Sequence, residues 1–523
     1  MNNSICLFVA PDLAKGERTV STLTNVAAQD SSLPKIRHTA RVVEIGSLLM
    51  AAVLATFYLV SSIYIASHRL FWFDEIFTVH LARLPHWTAI WTALAHATDS
   101  QPPIYYLVVR VFDQLLGHND IAIRLPSALA MAAGLLLTFD CARRLTDGPH
   151  GLIALAVLPC SFLPYYGYEA RPYGIYFMLA ALALWVWTYN GKGKWLPAIF
   201  FGTTFLLGAT IHYYFGLCLV PYALWEATRW RPWKPPSAKL IAGTVGAIVP
   251  VAIFSPLIVA FSNQFRQTFW GHPSVWLLGK VFSDVFPSGL VLLALVMVWV
   301  TLVGAEDKTI ASPPMQPGEA VGWLFLCIPL AGFVVAYKTN AFADRYLIGT
   351  LPGIAVAFAC WIWRGFRNAS LVSAAIFLLL TTWGLANQLK IVEHPEVVDR
   401  AGQQTVTRRN LTLEGRLLGD GKRFILFSDA MVYLEAQYYF QHPEGCALIL
   451  APREEDPDYD SGRLVLNLAR YYPLHIWALE DLTKHARETA LIAPPPSTLN
   501  ALDQAGFKAE VRFSEPFRVV YMH

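Results

Sequence analysis

EIGSLLMAAVLATFYLVSSIYIASHRLFWFDE, residues 44–75, is the stretch that decides the fold. Between Glu44 and Arg69 it carries no Asp, Glu, Lys or Arg. Its apolar run, roughly 45 to 66, has the ~20 residues that an α-helix needs to cross a bilayer. It ends in Phe71-Trp72-Phe73, aromatics of the kind that collect at the membrane–water interface. Two adjacent carboxylates, Asp74 and Glu75, follow at once.

Outward from this stretch the pattern recurs. Apolar runs at 121 to 142, 151 to 168, 173 to 190, 196 to 211, 213 to 228, 240 to 262, 287 to 304, 320 to 337, 346 to 363 and 369 to 388 predict further spans, about eleven in all. Composition agrees: 55% of the 523 residues are hydrophobic and only 15% charged, against about 25% charged in an average soluble domain. The charge is uneven. Of the 77 Asp, Glu, Lys and Arg residues, 34 lie in the last 134 positions, so the chain reads as 42–389 in a bilayer and 390–523 in water. Residues 1–41 read as a polar cytoplasmic extension whose one apolar run, Ile5 to Ala10, is too short for a signal peptide. The net charge of +3 argues against a nucleic-acid partner. Six of seven cysteines precede residue 390, which argues against a disulfide framework.

The segment Pro102 to Gly117 is apolar but short, and Arg110 and Asp113 lie within it. It therefore reads as an amphipathic helix lying in the interface rather than a span. That choice fixes the topology. With the N-terminus inside, the inner loops receive Arg143 and Arg144, Lys192 and Lys194, Arg229, Arg231, Lys234 and Lys239, Lys308, then Arg364 and Arg367. Short loops rich in Lys and Arg belong on the cytoplasmic side. The outer face then holds the first loop, 67–120, the turns near Tyr168 and His212, the segments 263–286 and 338–345, and the tail.

The tail reads as a small soluble α/β domain. Strand-like runs at Phe424 to Phe427, Ala447 to Leu450, Ala490 to Ala493, Lys508 to Phe513 and Phe517 to Tyr521 alternate with helical patterns near 430–440, 480–489 and 497–505. Asp456-Pro457-Asp458-Tyr459-Asp460 mimics the Asp-x-Asp signature of nucleotide-sugar enzymes, but it sits among acids with no glycine-rich loop and reads as a solvated loop.

The ionisable residues on the outer face are few. Asp74 and Glu75 suit a base or a cation site, and equally the first turn of a helix. Asp99-Ser100-Gln101-Pro102-Pro103 leads into the interfacial helix with Tyr105 and Tyr106. Arg124, in Arg124-Leu125-Pro126-Ser127, fits either snorkelling to lipid headgroups or facing an anionic substrate. Glu169 and Arg171 in Glu169-Ala170-Arg171-Pro172-Tyr173 either close a turn as an ion pair or act on a ligand. His212 suits a capping role, and Lys338 and Asp344-Arg345-Tyr346 bring two more cations to this face.

Taken in order, Phe73-Asp74-Glu75, Gln101-Pro102-Pro103, Arg124-Leu125-Pro126-Ser127, Glu169-Ala170-Arg171-Pro172-Tyr173 and Asp344-Arg345-Tyr346 with Leu351-Pro352 resemble the polytopic lipid-dependent glycosyltransferases of the GT-C fold. The likeness is greatest to the bacterial branch related to protein O-mannosyltransferases and lipid A aminoarabinose transferases, over about residues 45–390. The resemblance implies a multi-pass protein of the bacterial inner membrane that takes a sugar from a polyprenyl phosphate donor on the periplasmic side. It maps a catalytic acid onto Asp74 with Glu75 beside it, an interfacial helix onto Pro102 and Pro103, and an acidic position onto Glu169. Gln101 stands where relatives often have His, and a single acid in the second outer turn leaves a divalent cation, held by Asp74 and Glu169, an open expectation. No other cofactor is implied.

Transfer from a lipid phosphate needs a base for the acceptor, positive charge for the departing phosphate and a water-poor cleft open to lipid. Asp74 is the expected base of an inverting displacement. Arg345, Arg171 and Lys338 are the expected phosphate ligands, and Tyr105, Tyr166 and Tyr173 suit a sugar face or an isoprenoid tail. Membrane lipids and the donor are the expected partners; the acceptor is a glycolipid, polysaccharide or protein. A transporter or flippase would show repeated halves with ions near the midplane, whereas these ions gather on one face. A membrane-tethered sensor would leave Asp74 and Glu75 without a role.

Overall fold

The computed structural model describes residues 33–189, 195–229, 231, 235–268, 271–303, 314–366, 369–395, 412–450, 459–513 and 517–523. The N-terminal extension through residue 32, Lys192, Lys194, Lys234, Lys308, Arg367 and most of the acidic loop before Tyr459 lie outside them.

The decisive stretch forms α1, Leu33–His68. The first loop supplies three helices, α2 (Phe73–Ala82), α3 (Trp87–Ala95) and α4 (Pro103–Leu116). Then come α5 (Asp120–Leu145), α6 (Gly148–Val157), α7 (Tyr173–Thr188), α8 (Trp195–Ile211), α9 (Val220–Thr228), α10 (Ala238–Ile253), α11 (Ser255–Phe265), α12 (Val275–Val285), α13 (Ser288–Val303), α14 (Pro317–Leu324), α15 (Cys327–Thr339), α16 (Leu351–Phe366) and α17 (Ser370–Glu393). Among the described residues, five segments are long and apolar enough to cross a membrane: Arg41–His68, Asp120–Leu145, Pro317–Thr339, Asp344–Phe366 and Ser370–Glu393. Counting each of two bent pairs as one raises this to seven, and three shorter apolar helices, Gly148–Cys160, Tyr173–Thr188 and Trp195–Ile211, accompany them.

The differences from the eleven expected spans have local causes. The run 151–168 is helical only to Val157 and continues in 3-10 turns at Leu158–Cys160 and Leu163–Tyr166, where Pro159 and Pro164 remove backbone donors. The run 213–228 is a 3-10 segment, Tyr213–Leu219, leading into the nine-residue α9. The run 240–262 bends by 61° between α10 and α11, with Pro250 inside the first and Pro256 in the first turn of the second. The segment 263–286, expected as a loop, carries α12, which meets α13 at 69°.

Asp344–Phe366 is central, 89% of its apolar window being buried, whereas the window of α17 is 22% buried. Exposed apolar side chains on the outer helices, among them Val245, Ile248, Leu292, Leu371 and Leu378, form the surface that lipid would cover. Basic residues gather at one end. Arg143 at the foot of α5 reaches Glu44 on α1 and Asp140, Arg364 at the foot of α16 pairs with Glu319 at 2.7 Å, and Lys239 donates to the carbonyls of Val186, Trp187 and Tyr189.

The C-terminal part folds as a six-stranded sheet with helices α18 (Thr412–Gly419), α19 (Ala430–Tyr439), α20 (Tyr459–Leu468), α21 (Leu479–His485) and α22 (Pro496–Gln504). Its strands are β1 (Phe424–Phe427), β2 (Cys446–Ile449), β3 (Ile476–Trp477), β4 (Thr489–Ile492), β5 (Ala509–Phe513) and β6 (Val519–Met522), in the order β3-β2-β1-β4-β6-β5. The first four run parallel and β6 and β5 antiparallel. Short, wholly apolar strands such as Phe424–Phe427 are what a parallel sheet covered on both faces requires. Three elements escape the sequence pattern: α18, the two-residue β3, and α20, which opens with Tyr459 and Asp460 at the end of the expected acidic loop. The six described cysteines are free.

Candidate active site

Helix α2 starts where it does because of Glu75. Trp72 is extended, and its N–H donates to Glu75 Oε2 at 3.2 Å, closing the first turn. Successive helical residues point about 100° apart, so Asp74 and Glu75 face different surroundings.

Glu75 faces inward. Arg124 Nε donates to its Oε1 at 2.7 Å and Nη2 to its Oε2 at 2.6 Å, and Ala170 N–H adds a third bond at 2.7 Å. Arg124 spends its remaining donors on the carbonyls of Ala66, Arg69 and Leu70 at the end of α1 and lies over the Phe71 ring. Both side chains are 1% exposed. Glu75, expected to share the chemistry, and Arg124, expected to bind substrate, are thus placed in a buried bolt joining α1, α2, α5 and the turn that carries Glu169 and Arg171. Tyr105, expected at the sugar, is likewise fully buried, packed edge-on against Tyr106.

Asp74 faces outward, 20% exposed. Its Oδ2 lies 3.5 Å from Arg345 Nη2 and 3.8 Å from Arg171 Nη2. These are loose contacts. Arg171 is committed elsewhere, its Nη1 donating to Asp99 Oδ2 at 2.7 Å. Asp99 was missed as a site residue; its signal was an acid three positions before the double proline. The turn that carries Arg171 is pinned by Ser127, whose hydroxyl donates to Arg171 O at 2.9 Å and accepts from Gly174 N–H. Arg345 enters from the start of the central segment, its ring neighbours being Trp72 and Tyr346.

Buried polar atoms with no hydrogen-bond partner among the described residues include Glu169 Oε2, the Tyr173 hydroxyl and His212 Nε2. Such atoms are rare in folded proteins and ask for a ligand or water. Burial first, and then the Glu75 charge, push the Glu169 carboxyl up to about 8, although Arg69 and Arg345 pull the other way. His212 caps the Tyr213–Leu219 turn, its Nδ1 accepting from Tyr214 N–H, as its position suggested. Its ring packs on Tyr173, Tyr176 and Tyr346. Tyr166 packs edge-on against Tyr173 and donates to Asp344.

A partly open cavity of about 170 Å³ adjoins Asp99. One part of its lining is polar, with Asp99, Gln101, His212, Arg266 and Lys338; another is apolar, with Leu257, Ile258, Phe261 and Phe265 of α11. Lys338 thus stands in the cavity lining. Arg266 was not foreseen. Among the described residues no three His, Cys, Asp or Glu side chains group as a metal site would need. The Asp74 and Glu169 pair also has two guanidiniums beside it, which compete with a cation for the same carboxylates.

The architecture and this site define a multi-pass membrane protein of the GT-C fold. Residues 100–260 match the family model of dolichyl-phosphate-mannose-protein mannosyltransferase. A Pseudomonas fluorescens protein described as undecaprenyl phosphate-alpha-4-amino-4-deoxy-L-arabinose arabinosyl transferase 1 is 26% identical over 253 residues, a stretch that spans 45% of this chain and 45% of that protein. The fold is similar to that of ArnT from Cupriavidus metallidurans bound to undecaprenyl phosphate, with a TM-score of 0.55 and 13% identity over 91% of this chain and 98% of the other. The apo form of the same protein gives 0.54 and 12% over 90% and 97%.

Proposed function

We propose that the chain is a glycosyltransferase of the bacterial inner membrane that moves a sugar from a polyprenyl phosphate to an acceptor hydroxyl on the periplasmic side. The observation that carries this reading is Asp74: a partly exposed carboxylate, loosely flanked by two guanidiniums, one of which bonds Asp99 in the lining of a cavity with polar and apolar parts. The P. fluorescens relative and the undecaprenyl-phosphate-bound ArnT fold support the donor class. The periplasmic side is supported by the gathering of Arg143, Arg364 and Lys239 at the opposite end of the helices.

In this mechanism the acceptor hydroxyl gives its proton to Asp74 as its oxygen attacks the anomeric carbon. The bond from that carbon to the phosphate oxygen breaks on the opposite side, which inverts the configuration. Negative charge grows on the departing phosphate and is met by Arg345 and Arg171, with Lys338 and Arg266 at the cavity for the rest of the anion. Asp99 holds Arg171 so that Asp74 keeps a free lone pair. Glu169, the Tyr173 hydroxyl and His212 Nε2 offer unpaired hydrogen-bonding atoms for sugar hydroxyls or amine. The isoprenoid lies along Leu257, Phe261 and Phe265.

The test is donor turnover by purified protein. Undecaprenyl phosphate carrying 4-amino-4-deoxy-L-arabinose and a polyprenyl phosphate mannose are offered with extracted envelope glycolipid as acceptor. Acceptor-dependent release of free polyprenyl phosphate from either donor is expected; release from neither, by protein that binds undecaprenyl phosphate, contradicts the reading.

A further inference from the structure

The C-terminal sheet unit grips both ends of α2, the helix that begins with Asp74. At the front, Phe71 N–H donates to the Tyr439 hydroxyl at 2.6 Å, two residues before the helix, and the Tyr438 ring meets the Phe71 ring edge-on. At the rear, the Tyr472 hydroxyl donates to His80 O at 2.5 Å, and its ring lies 4.2 Å from the His80 ring. A third tie runs from α20: Asn467 Nδ2 donates to Ala97 O and to Gln264 Oε1, joining the stretch just before Asp99 to the helix that walls the cavity. Among the described residues the Asp74 carboxylate meets cations only at 3.5 Å and longer, while its backbone carbonyl accepts from Thr78 Oγ1 at 3.2 Å and Arg171 Nη1 at 3.3 Å. Its placement therefore depends on the backbone of α2.

We infer that the C-terminal unit is a positioning part of the active site: Tyr439 and Tyr472 clasp α2 from its two ends and fix Asp74 against Arg345 and Arg171. The catalytic consequence rests on the transferase reading above; the mechanical one does not. Phe71 also lies beneath the Arg124 guanidinium, so the front of the clasp sits on the same backbone that the buried Glu75–Arg124 bolt secures. The two fastenings act on one short segment. Tyr521, whose hydroxyl donates to Asp420 at 2.8 Å on strand β6, makes a hydrogen bond within the sheet unit and supplies the comparison.

The experiment uses the full chain in detergent and compares wild type, the double variant Tyr439→Phe with Tyr472→Phe, and Tyr521→Phe. Backbone amide exchange of residues 73–82 is read first. Loss of two neutral hydrogen bonds should speed exchange there by on the order of tenfold or more in the double variant, and leave it unchanged in Tyr521→Phe. With the donor of the turnover assay, the double variant should lose about tenfold in kcat at an unchanged KM for donor, because the cavity that holds the lipid is intact. Unchanged exchange across 73–82 in the double variant, or an equal rise in Tyr521→Phe, overturns the inference. Faster exchange with wild-type kcat overturns its catalytic half. Absence of turnover in wild type sinks the transferase reading instead, with the exchange result still deciding the clasp.

Discussion

Asp74 and Glu75 are neighbours in sequence with opposite roles. Glu75 is buried, bidentately paired and capped by two backbone N–H groups, whereas Asp74 is partly exposed and loosely contacted. Removing one partner of a buried ion pair leaves an uncompensated charge, at a cost of roughly 3–5 kcal/mol. Glu75→Gln or Arg124→Leu should therefore lower the melting temperature and the folded yield, which fluorescence-detected gel filtration would read. Glu169 differs again. Its carboxyl titrates near 8 in the folded protein against an ordinary value of 4.5. Below about pH 4.5 folded and unfolded chains both carry the proton and nothing is at stake. Between 4.5 and 8 the folded state keeps a proton that the unfolded state has lost, so stability falls as pH rises through that window. Glu169→Gln should remove up to about 1.4 kcal/mol per pH unit of that slope. Melting curves of the two proteins from pH 5 to 8 should converge at the acid end and separate at the alkaline end; parallel curves would refute the assignment.

At the scale of elements, α5 and α7 cross where Gly174 meets Ser127. A Cβ on Gly174 would stand 2.2 Å from the Ser127 carbonyl oxygen. That contact lets Ser127 pin the turn that carries Arg171. Gly174→Ala should cost about 1–3 kcal/mol through overpacking and should also reduce turnover by displacing Arg171, both measurable on one purified variant. The elements that could be read from sequence were those with a strong local pattern. The charge-free run to Ala66 announced α1, the paired prolines announced α4, and Phe424 to Phe427 announced β1. What could not be read were contacts between distant residues: Arg124 with Glu75, 49 positions apart, and Arg171 with Asp99, 72 apart. Hydropathy likewise reports apolar length without the bend at Phe254 or the 3-10 form of Tyr213–Leu219, because proline and packing decide those.

At the scale of the whole molecule, sparse charge in the bundle is sorted by end. One end of the helices carries the pairs Arg143 with Glu44 and Arg364 with Glu319, and the site end carries Asp74, Asp99, Arg171 and Arg345. The sheet unit, which sequence alone left without a task, lies over the first loop and contacts α2 directly. On the proposed mechanism, such an arrangement concentrates function in one carboxylate while many residues hold it in place. The most direct measurement is transfer by Asp74→Asn in purified, membrane-reconstituted protein. The substitution removes a base while keeping shape, and Asp74 makes no tight ion pair, so melting temperature and undecaprenyl phosphate affinity should match wild type while turnover falls by roughly 10²- to 10⁴-fold. Turnover within a few-fold of wild type would contradict the role given to Asp74.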